Sequence, residues 1–190
     1  MSGDKLVFDI ETKNSFADVG GDRNVELLQV SVVGAYSYNQ DKYFCFDEQE
    51  LDRFVDLVKG AKLLVGFSSK RFDVPVLKKN LPFDMAKIPH FDILEEIEKA
   101  LGRRIGLGVL AEANLGIGKT GHGLEAIELW KRGEIQKLKD YCVQDVKITK
   151  EIFDLIRNQG FLWIPERGIP QMKKIEIKYV EEPAVQASLI

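Results

Sequence analysis

The residues with the clearest potential for chemistry are two carboxylates, Asp9 and Glu11, near the start of the chain. They lie in the run 5–11, whose period of two is typical of a β-strand. Because alternate strand side chains point to opposite faces, both carboxylates share one face and the apolar side chains share the other. Neighbouring like charges repel each other unless a cation holds them. A solvated strand end is the better interpretation of this pair alone, so its significance depends on partners elsewhere in the chain.

A third carboxylate interrupts the apolar stripe of a long helix predicted from about residue 134 to residue 157. The stripe predicts an apolar residue at position 145, and the chain has Asp145 there. Tyr141 lies four residues earlier and therefore on the same side of the helix. A carboxylate on the core-facing side is costly unless it is paired or binds a metal. Asp145 can alternatively lie at the rim of the stripe near Lys147 or Lys150, but the stripe is otherwise regular.

Asp73 follows a short buried strand, predicted over residues 62–66, and begins a helix predicted over about residues 72–80. Loops at strand ends carry functional residues in mixed α/β sheets. An acid in the first turn of a helix is also favoured by the helix dipole. Asp73 alone therefore proves nothing, and it gains importance only together with the other acids.

Taken in order, these residues resemble the three motifs of the DEDD 3′–5′ exonucleases. The motifs are Phe8-Asp-Ile-Glu-Thr12, Gly66-Phe-x4-Phe-Asp73-x-Pro75 and Tyr141-Cys-x-Gln-Asp145-Val146. The tyrosine four residues before the last acid resembles the tyrosine subclass, which is related to the proofreading domains of family B DNA polymerases. The resemblance covers roughly residues 5–157, includes the stretch 122–130, and implies a ribonuclease H-like fold. The two histidines, His90 and His122, lie outside the last helix, which excludes the histidine subclass.

The resemblance implies an exonuclease that uses two metal ions, Mg²⁺ or Mn²⁺. Carboxylates suit such hard cations, and two ions about 3.5–4 Å apart can hold both the attacking and the leaving oxygen of a phosphodiester. The implied metal ligands are Asp9, Glu11, Asp73 and Asp145, with Asp9 as the bridge between the ions. Glu11 and Asp145 would hold the ion that activates water, and Asp73 would support the other. Tyr141 would orient the attacking water, because an ordinary tyrosine pKa of about 10 makes it a poor base at neutral pH.

Four residues in or beside the motifs are the predicted substrate-binding residues: Thr12, Phe16, Ser68 and Phe72. Phe16 can stack on the terminal base, although filling the core is an equally good interpretation. Ser68 stands where the family usually has Asn, which predicts a weaker contact near the substrate. The implied substrate is the 3′ end of a single-stranded nucleic acid. DNA is favoured, but no motif reports a contact to the 2′-hydroxyl of RNA.

The elements that position these motifs follow the order β-β-β-α-β-α-β-α. This order predicts an α/β fold with a mixed five-stranded central sheet flanked by helices, whose first three strands form an antiparallel meander. Residues 1–158 are predicted to form the ribonuclease H-like exonuclease domain. Residues 159–190 carry three prolines and an alternating stretch, which predict an appended strand pair, a loose tail or the start of a further module.

The composition is that of an ordinary soluble domain, with 45% hydrophobic and 30% charged residues in a chain of 190. We find no apolar run long enough to cross a membrane and no signal peptide, and the two cysteines are consistent with a reducing cytoplasm. The net charge of −3 argues against bulk coating of nucleic acid but not against a local site. Local phosphate contacts could come from five basic pairs: Lys70-Arg71, Lys78-Lys79, Arg103-Arg104, Lys131-Arg132 and Lys173-Lys174.

Two rival functions follow from other features. The stretch 113–120 loosely fits a phosphate-binding P-loop, but a helical pattern precedes it instead of the strand that this motif needs, so a Gly-rich link between helices is the better interpretation. The same fold can also serve as a module that binds nucleic acid or a partner protein without cutting. The presence of all four acids and Tyr141 favours the enzyme. Whether it acts alone, as a dimer, or beside a helicase or polymerase stays open.

Overall fold

The structure, a computed structural model, describes residues 3–118 and 123–181. Five strands form one mixed sheet: β1 (Asp4–Thr12), β2 (Val30–Ser37), β3 (Lys42–Asp47), β4 (Ala61–Gly66) and β5 (His90–Asp92). Their order across the sheet is β3-β2-β1-β4-β5, so β1 is central. The first three strands form an antiparallel meander, and β4 and β5 continue the sheet in parallel with β1.

Helices cover both faces of this sheet. They are α1 (Leu51–Lys59), α2 (Asp73–Leu77), α3 (Ile93–Leu101), α4 (Leu107–Leu115), α5 (Gly123–Lys131) and α6 (Ile135–Gln159). The predicted fold class, a mixed five-stranded sheet flanked by helices, is confirmed. Helix α2 is shorter than predicted because the chain turns after Leu77, where the Asn80 N–H donates to the Leu77 carbonyl. A 3-10 helix, Asp22–Leu27, lies between β1 and β2.

The alternation of β1 divides the core between the two faces of the sheet. Leu6, Phe8 and Ile10 are buried in a cluster with residues of α1 and α2. Val7 points to the other face and packs in a cluster with residues of α3, α4 and α6. Asp9 has the same parity as Val7, so its side chain emerges on the face that α6 covers. The position of the first predicted carboxylates thus follows from the period of two in the sequence.

Helix α6 approaches the sheet closely where β2 has a glycine. A Cβ atom at Gly34 would lie 2.8 Å from Val146 Cγ2 and 3.0 Å from Cys142 Sγ. Cys142 Sγ also lies 3.6 Å from the carbonyl oxygen of Asp9, in donor geometry. The missing side chain at Gly34 therefore lets the middle of α6 lie against the strand pair that carries Asp9.

The chain after α6 forms an antiparallel hairpin of β6 (Phe161–Pro165) and β7 (Met172–Glu176). Leu162, Ile164 and Ile175 are buried in the same cluster as residues of α3, α4 and α6. The strands of the hairpin therefore pack against the rest of the described chain.

The first part of the P-loop-like stretch ends α4, whereas Lys119 and Thr120 lie outside the described residues, as does His122. Both cysteines have free thiols. Within residues 3–118 and 123–181, none of the helices combines the length and the apolar character needed to span a bilayer.

Substitution of Gly34 by Ala should destabilise the protein by about 1–3 kcal/mol, because the new methyl group overlaps a tightly packed helix. Urea denaturation followed by circular dichroism measures this change. Gly108→Ala in α4 is the matched control, since nothing lies within 4 Å of its Cβ position. The control should be neutral or stabilising by up to about 1 kcal/mol. Equal effects of the two substitutions would contradict the close approach of α6.

Candidate active site

Asp9 and Glu11 lie at the carboxyl end of the central strand, next to a break in the register of the sheet. Asp9 pairs with Gly34, and Glu11 pairs with Val32. The register shifts immediately after Glu11, which leaves Ser31 as an extra residue on β2. Such a bulge increases the local twist and redirects side chains, and bulges are frequent beside active sites.

Three of the predicted acids converge at this strand end. Asp9, Glu11 and Asp145 each offer a carboxylate oxygen, and these oxygens all lie within 4.8 Å of one another. Val146, not Asp145, fills the fully buried position in this turn of α6. Asp145 lies one residue away and is partly buried. The expectation of a core-facing carboxylate was therefore inexact: the helix keeps an apolar contact with the sheet and presents Asp145 beside it.

The fourth predicted acid, Asp73, begins α2 and contacts the backbone of β1. It is 2% exposed, and its Oδ1 accepts a hydrogen bond of 3.1 Å from the backbone N–H of Ile10, between the two strand carboxylates. It is not one of the three residues whose oxygens lie within 4.8 Å of one another. β4 and β1 are parallel neighbours, so the loop after β4 begins at the same end of the sheet as the carboxyl end of β1.

The loop that carries Asp73 depends on a residue that the sequence analysis missed. Asp92 Oδ1 accepts the N–H of Ser68 at 2.9 Å, and Asp92 Oδ2 accepts the N–H of Lys70 at 3.0 Å. The same carboxylate caps α3 through the N–H of Leu94. An Asp between a short strand and a helix is a recognisable capping signal, but its bonds to a distant loop are not. Asp92 therefore holds together two strand ends that border the site.

Burial and mutual repulsion shift the proton equilibria of the four acids. Burial raises the pKa of Asp9 well above its ordinary value, and the charges of Asp73 and Glu11 raise it further. Burial and then the charge of Asp145 raise the pKa of Glu11 in the same way. Burial also raises the pKa of Asp73 to about 8 and the pKa of Asp145 to about 6. Without a cation, this group of carboxylates therefore resists full ionisation at neutral pH.

Tyr141 lies one helical turn before Asp145 and borders the acid cluster. Burial raises its pKa above the ordinary value, and the negative charges of Asp145 and Glu11 raise it further. The phenol therefore keeps its proton at neutral pH and acts as a hydrogen-bond donor or acceptor, not as a base. Its ring packs against a buried cluster that includes Leu138 and Cys142.

The four predicted substrate-binding residues lie around this strand end. Thr12 is buried, and its hydroxyl donates to the carbonyl of Asn14 at 2.8 Å. Phe16 is 39% exposed and meets Phe72 edge to face, with ring centres 5.7 Å apart. Ser68 has a positive φ of 63°, and its hydroxyl accepts a 2.8 Å hydrogen bond from Arg104 Nη2.

The donor set of the acid cluster fits divalent cations. The ion pairs among the described residues include none that involves Asp9, Glu11, Asp73 or Asp145. Closely spaced carboxylates with raised pKa values are the oxygen-rich environment that Mg²⁺ and Mn²⁺ prefer. A bound cation would relieve the repulsion that raises those pKa values.

The sheet order and the acids at the end of its central strand define a ribonuclease H-like protein. The chain belongs to the RNase_H superfamily, whose family profile matches residues 6–157. This membership indicates a nuclease, and nucleases of this superfamily generally use divalent metal ions.

A solved structure supports the same fold. The chain is similar to the family B DNA polymerase from the hyperthermophilic archaeon Pyrobaculum calidifontis, with a TM-score of 0.62 and 18% sequence identity. The match covers 83% of this chain but 25% of that chain, so this chain spans about a quarter of the polymerase's length. At this identity the likeness shows the fold alone. No curated protein sequence matches the chain.

Asp145→Asn should raise the melting temperature of the metal-free protein at about pH 8 by several degrees and have little effect near pH 4.5. The sign follows because a carboxyl whose pKa is raised in the folded state stabilises folding below its unfolded pKa, and this stabilisation is lost as pH rises through the folded value, here about 6. Thermal denaturation in a chelating buffer at both pH values measures the difference.

The matched control is Asp140→Asn, the same change at an exposed position of α6. It should leave the melting temperature nearly unchanged at both pH values. Mn²⁺ should then stabilise the unsubstituted protein and Asp140→Asn more than it stabilises Asp145→Asn. A stabilisation by Asp145→Asn that is equal at both pH values would contradict the electrostatic account.

Proposed function

We propose that this chain is a metal-dependent 3′–5′ exonuclease of the DEDD type, tyrosine subclass, which hydrolyses terminal phosphodiester bonds of single-stranded nucleic acid, with DNA favoured. The observation that carries the proposal is the convergence of Asp9, Glu11 and Asp145 beside Tyr141, with Asp73 bound to the backbone N–H of Ile10 between the two strand acids. RNase_H superfamily membership and the fold shared with a DNA polymerase support it.

The proposed roles follow from the positions of the side chains. Asp9, Glu11 and Asp145 would hold one Mg²⁺ or Mn²⁺, and Asp73, whose charge acts on Asp9, would help to hold a second ion. Bound divalent ions supply a water of lowered pKa and neutralise charge on the phosphodiester. The protonated Tyr141 would orient the attacking water by hydrogen bonding, since its raised pKa prevents it from removing a proton.

The edge-to-face pair of Phe16 and Phe72 is the proposed platform for the terminal base. Phe16 is exposed enough to offer one side of its ring, while Phe72 is partly buried and supports it. Thr12 and Ser68 would complete the terminal subsite. The proposed domain covers residues 1–158, with residues 159–190 as a C-terminal extension, and the proposed location is the cytoplasm, without a membrane partner. A helicase or polymerase remains the proposed class of protein partner.

With Mn²⁺ or Mg²⁺, the unsubstituted protein should shorten a 5′-labelled single strand stepwise from its 3′ end. Asp145→Asn should be slower by at least about 100-fold, because loss of a metal ligand typically costs that much. Single-turnover assays with matched DNA and RNA strands measure both the rate and the substrate class. Asp140→Asn serves as the control and should cleave at the unsubstituted rate.

Three results of this assay would contradict the exonuclease. Equal rates for the unsubstituted protein and Asp145→Asn would point to a contaminating nuclease. Internal cuts or digestion from the 5′ end would contradict the proposed polarity. Stable binding of the strand without any cleavage would favour the rival function, a module with the same fold that holds nucleic acid without cutting it.

Tyr141→Phe removes a hydroxyl but keeps the ring, which packs against the buried cluster that includes Leu138 and Cys142. We expect a loss of about 100-fold in the single-turnover rate, the cost typical of a misplaced reacting group. The stabilisation by Mn²⁺ should be unchanged, because all four carboxylates remain. A loss of that metal-dependent stabilisation would instead mean that the hydroxyl acts on metal binding.

A further inference from the structure

The β6–β7 hairpin presents exposed aromatic and cationic side chains on its outer surface. In β6, the residues on either side of Trp163 are buried, so Trp163 itself points outward and is 41% exposed. Lys174 lies directly opposite Trp163 in the strand pair, and its Nζ lies 4.1 Å from the centre of the Phe161 ring. Met172 is 53% exposed at the other end of the same surface. We call these four residues the hairpin face: Phe161, Trp163, Met172 and Lys174.

The backbone of Trp163 is fixed by a side chain from α4. Its N–H donates to Asn114 Oδ1 at 2.8 Å, and its carbonyl accepts from Asn114 Nδ2 at 2.8 Å. Asn114 also donates to the carbonyl of Leu110, which ties this contact to the helix. The two bonds satisfy the N–H and the carbonyl of Trp163 on the outer edge of β6, as a neighbouring strand would. The exposed indole is therefore held on a rigid support, which lowers the entropic cost of binding a ligand.

The lysines of the hairpin differ from the other basic pairs of the chain. In four of the five pairs, at least one member forms an ion pair with a carboxylate, as Arg71 does with Glu98. Within residues 3–118 and 123–181, neither Lys173 nor Lys174 forms one, and both are exposed. Glu176, the one carboxylate on the two strands, lies opposite Phe161 on the outer face but forms no ion pair with Lys174 in the part of the chain that the structure describes. Lys174 is therefore an unpaired charge beside the two aromatic rings, whereas Lys173, opposite Ile164, lies on the other face of the strand pair.

Two adjacent arginines connect the hairpin with the candidate active site. Arg103 Nη2 donates to the carbonyl of Pro165 at the end of β6, at 3.0 Å. Arg104 Nη2 donates to the hydroxyl of Ser68, in the loop that leads to Asp73. Arg103, like the hairpin lysines, forms no ion pair within the described ranges. The two arginines therefore connect the Ser68 loop with the end of β6, although Arg104 also forms an ion pair with Glu98 at 3.7 Å.

We infer that the hairpin face, together with Arg103, is a second binding surface for single-stranded nucleic acid. Exposed rings beside uncompensated cations suit a strand whose bases stack and whose phosphates contact lysine or arginine. The surface holds nucleotides some distance from the 3′ end that occupies the active site, a placement that rests on the proposed function. The other class of occupant for an exposed apolar surface is a protein partner. The fixed indole and the unpaired Lys174 favour nucleic acid.

Binding can be measured without catalysis, by fluorescence anisotropy of a labelled strand of roughly 12 nucleotides in a chelating buffer. Trp163→Ala should weaken binding by at least about fivefold, and Trp163→Phe, which keeps an aromatic ring, should restore most of the affinity. Lys174→Gln should weaken binding and reduce the slope of log affinity against log salt by about 0.7, the value for one phosphate contact on a single strand.

Lys42→Gln is the matched control, because Lys42 Nζ lies 5.1 Å from the Phe44 ring on β3, a strand at the far edge of the central sheet. The control should retain both the affinity and the salt slope. Melting temperatures check that each variant is folded. Unchanged affinity in either folded Trp163→Ala or folded Lys174→Gln overturns the inference, as does the absence of measurable binding by the unsubstituted chain. In either case, a protein partner would be the remaining class of occupant for this surface.

A second assay separates this inference from the proposed function. With Mn²⁺, Trp163→Ala should raise KM for the long strand by at least about fivefold and leave kcat unchanged, while cleavage of a dinucleotide should be unaffected. A chain that binds the strand through the hairpin face but never cleaves it would contradict the exonuclease and support the binding surface. If Trp163→Ala slowed cleavage of the dinucleotide and of the long strand equally, the result would contradict a binding surface separate from the active site.

Discussion

Electrostatic repulsion among buried carboxylates is the constraint on which the site depends. Oxygens of Asp9, Glu11 and Asp145 lie within 4.8 Å of one another, and Asp73 adds a further charge next to Asp9. In the absence of a cation this arrangement opposes folding at neutral pH, because burial and mutual repulsion favour the protonated forms. The fold tolerates the repulsion because apolar packing on both faces of the central strand, with Phe8 on one face and Val7 on the other, stabilises the position of the acids.

Each element contributes to the site through a specific geometric property. Alternation along β1 puts both strand acids on the face that α6 covers. Gly34 lets α6 approach that face, and the parallel pairing of β1 with β4 brings Asp73 to the same sheet edge. Asp92 then fixes the loop between β4 and α2 by accepting two of its backbone N–H groups. The site therefore joins residues from the beginning, the middle and the later part of the chain, and several of the contacts that align them join a side-chain carboxylate to a backbone N–H.

Local periodicity predicted much of this arrangement, and long-range contacts account for what it missed. The strand face of Asp9 follows from a period of two, and the fold class follows from the order of strands and helices. The position of Asp145 relative to the core was predicted less well. Asp145 and Val146 are adjacent, and the apolar stripe alone does not decide which of them is fully buried against the sheet. The loop contacts of Asp92 and the Arg104–Ser68 bond join residues more than 20 positions apart, and no local pattern encodes such pairs. The roles of the site residues remain predictions.

The most direct test of this account is anomalous X-ray diffraction from crystals grown with Mn²⁺. The account predicts a strong anomalous peak bound by carboxylate oxygens of Asp9, Glu11 and Asp145, and a second peak on the side of Asp9 that faces Asp73, at metal–oxygen distances of roughly 2.0–2.3 Å. Crystals with Mn²⁺ bound only elsewhere, or with the three carboxylates turned away from one another, would contradict the claim that their convergence is a metal centre.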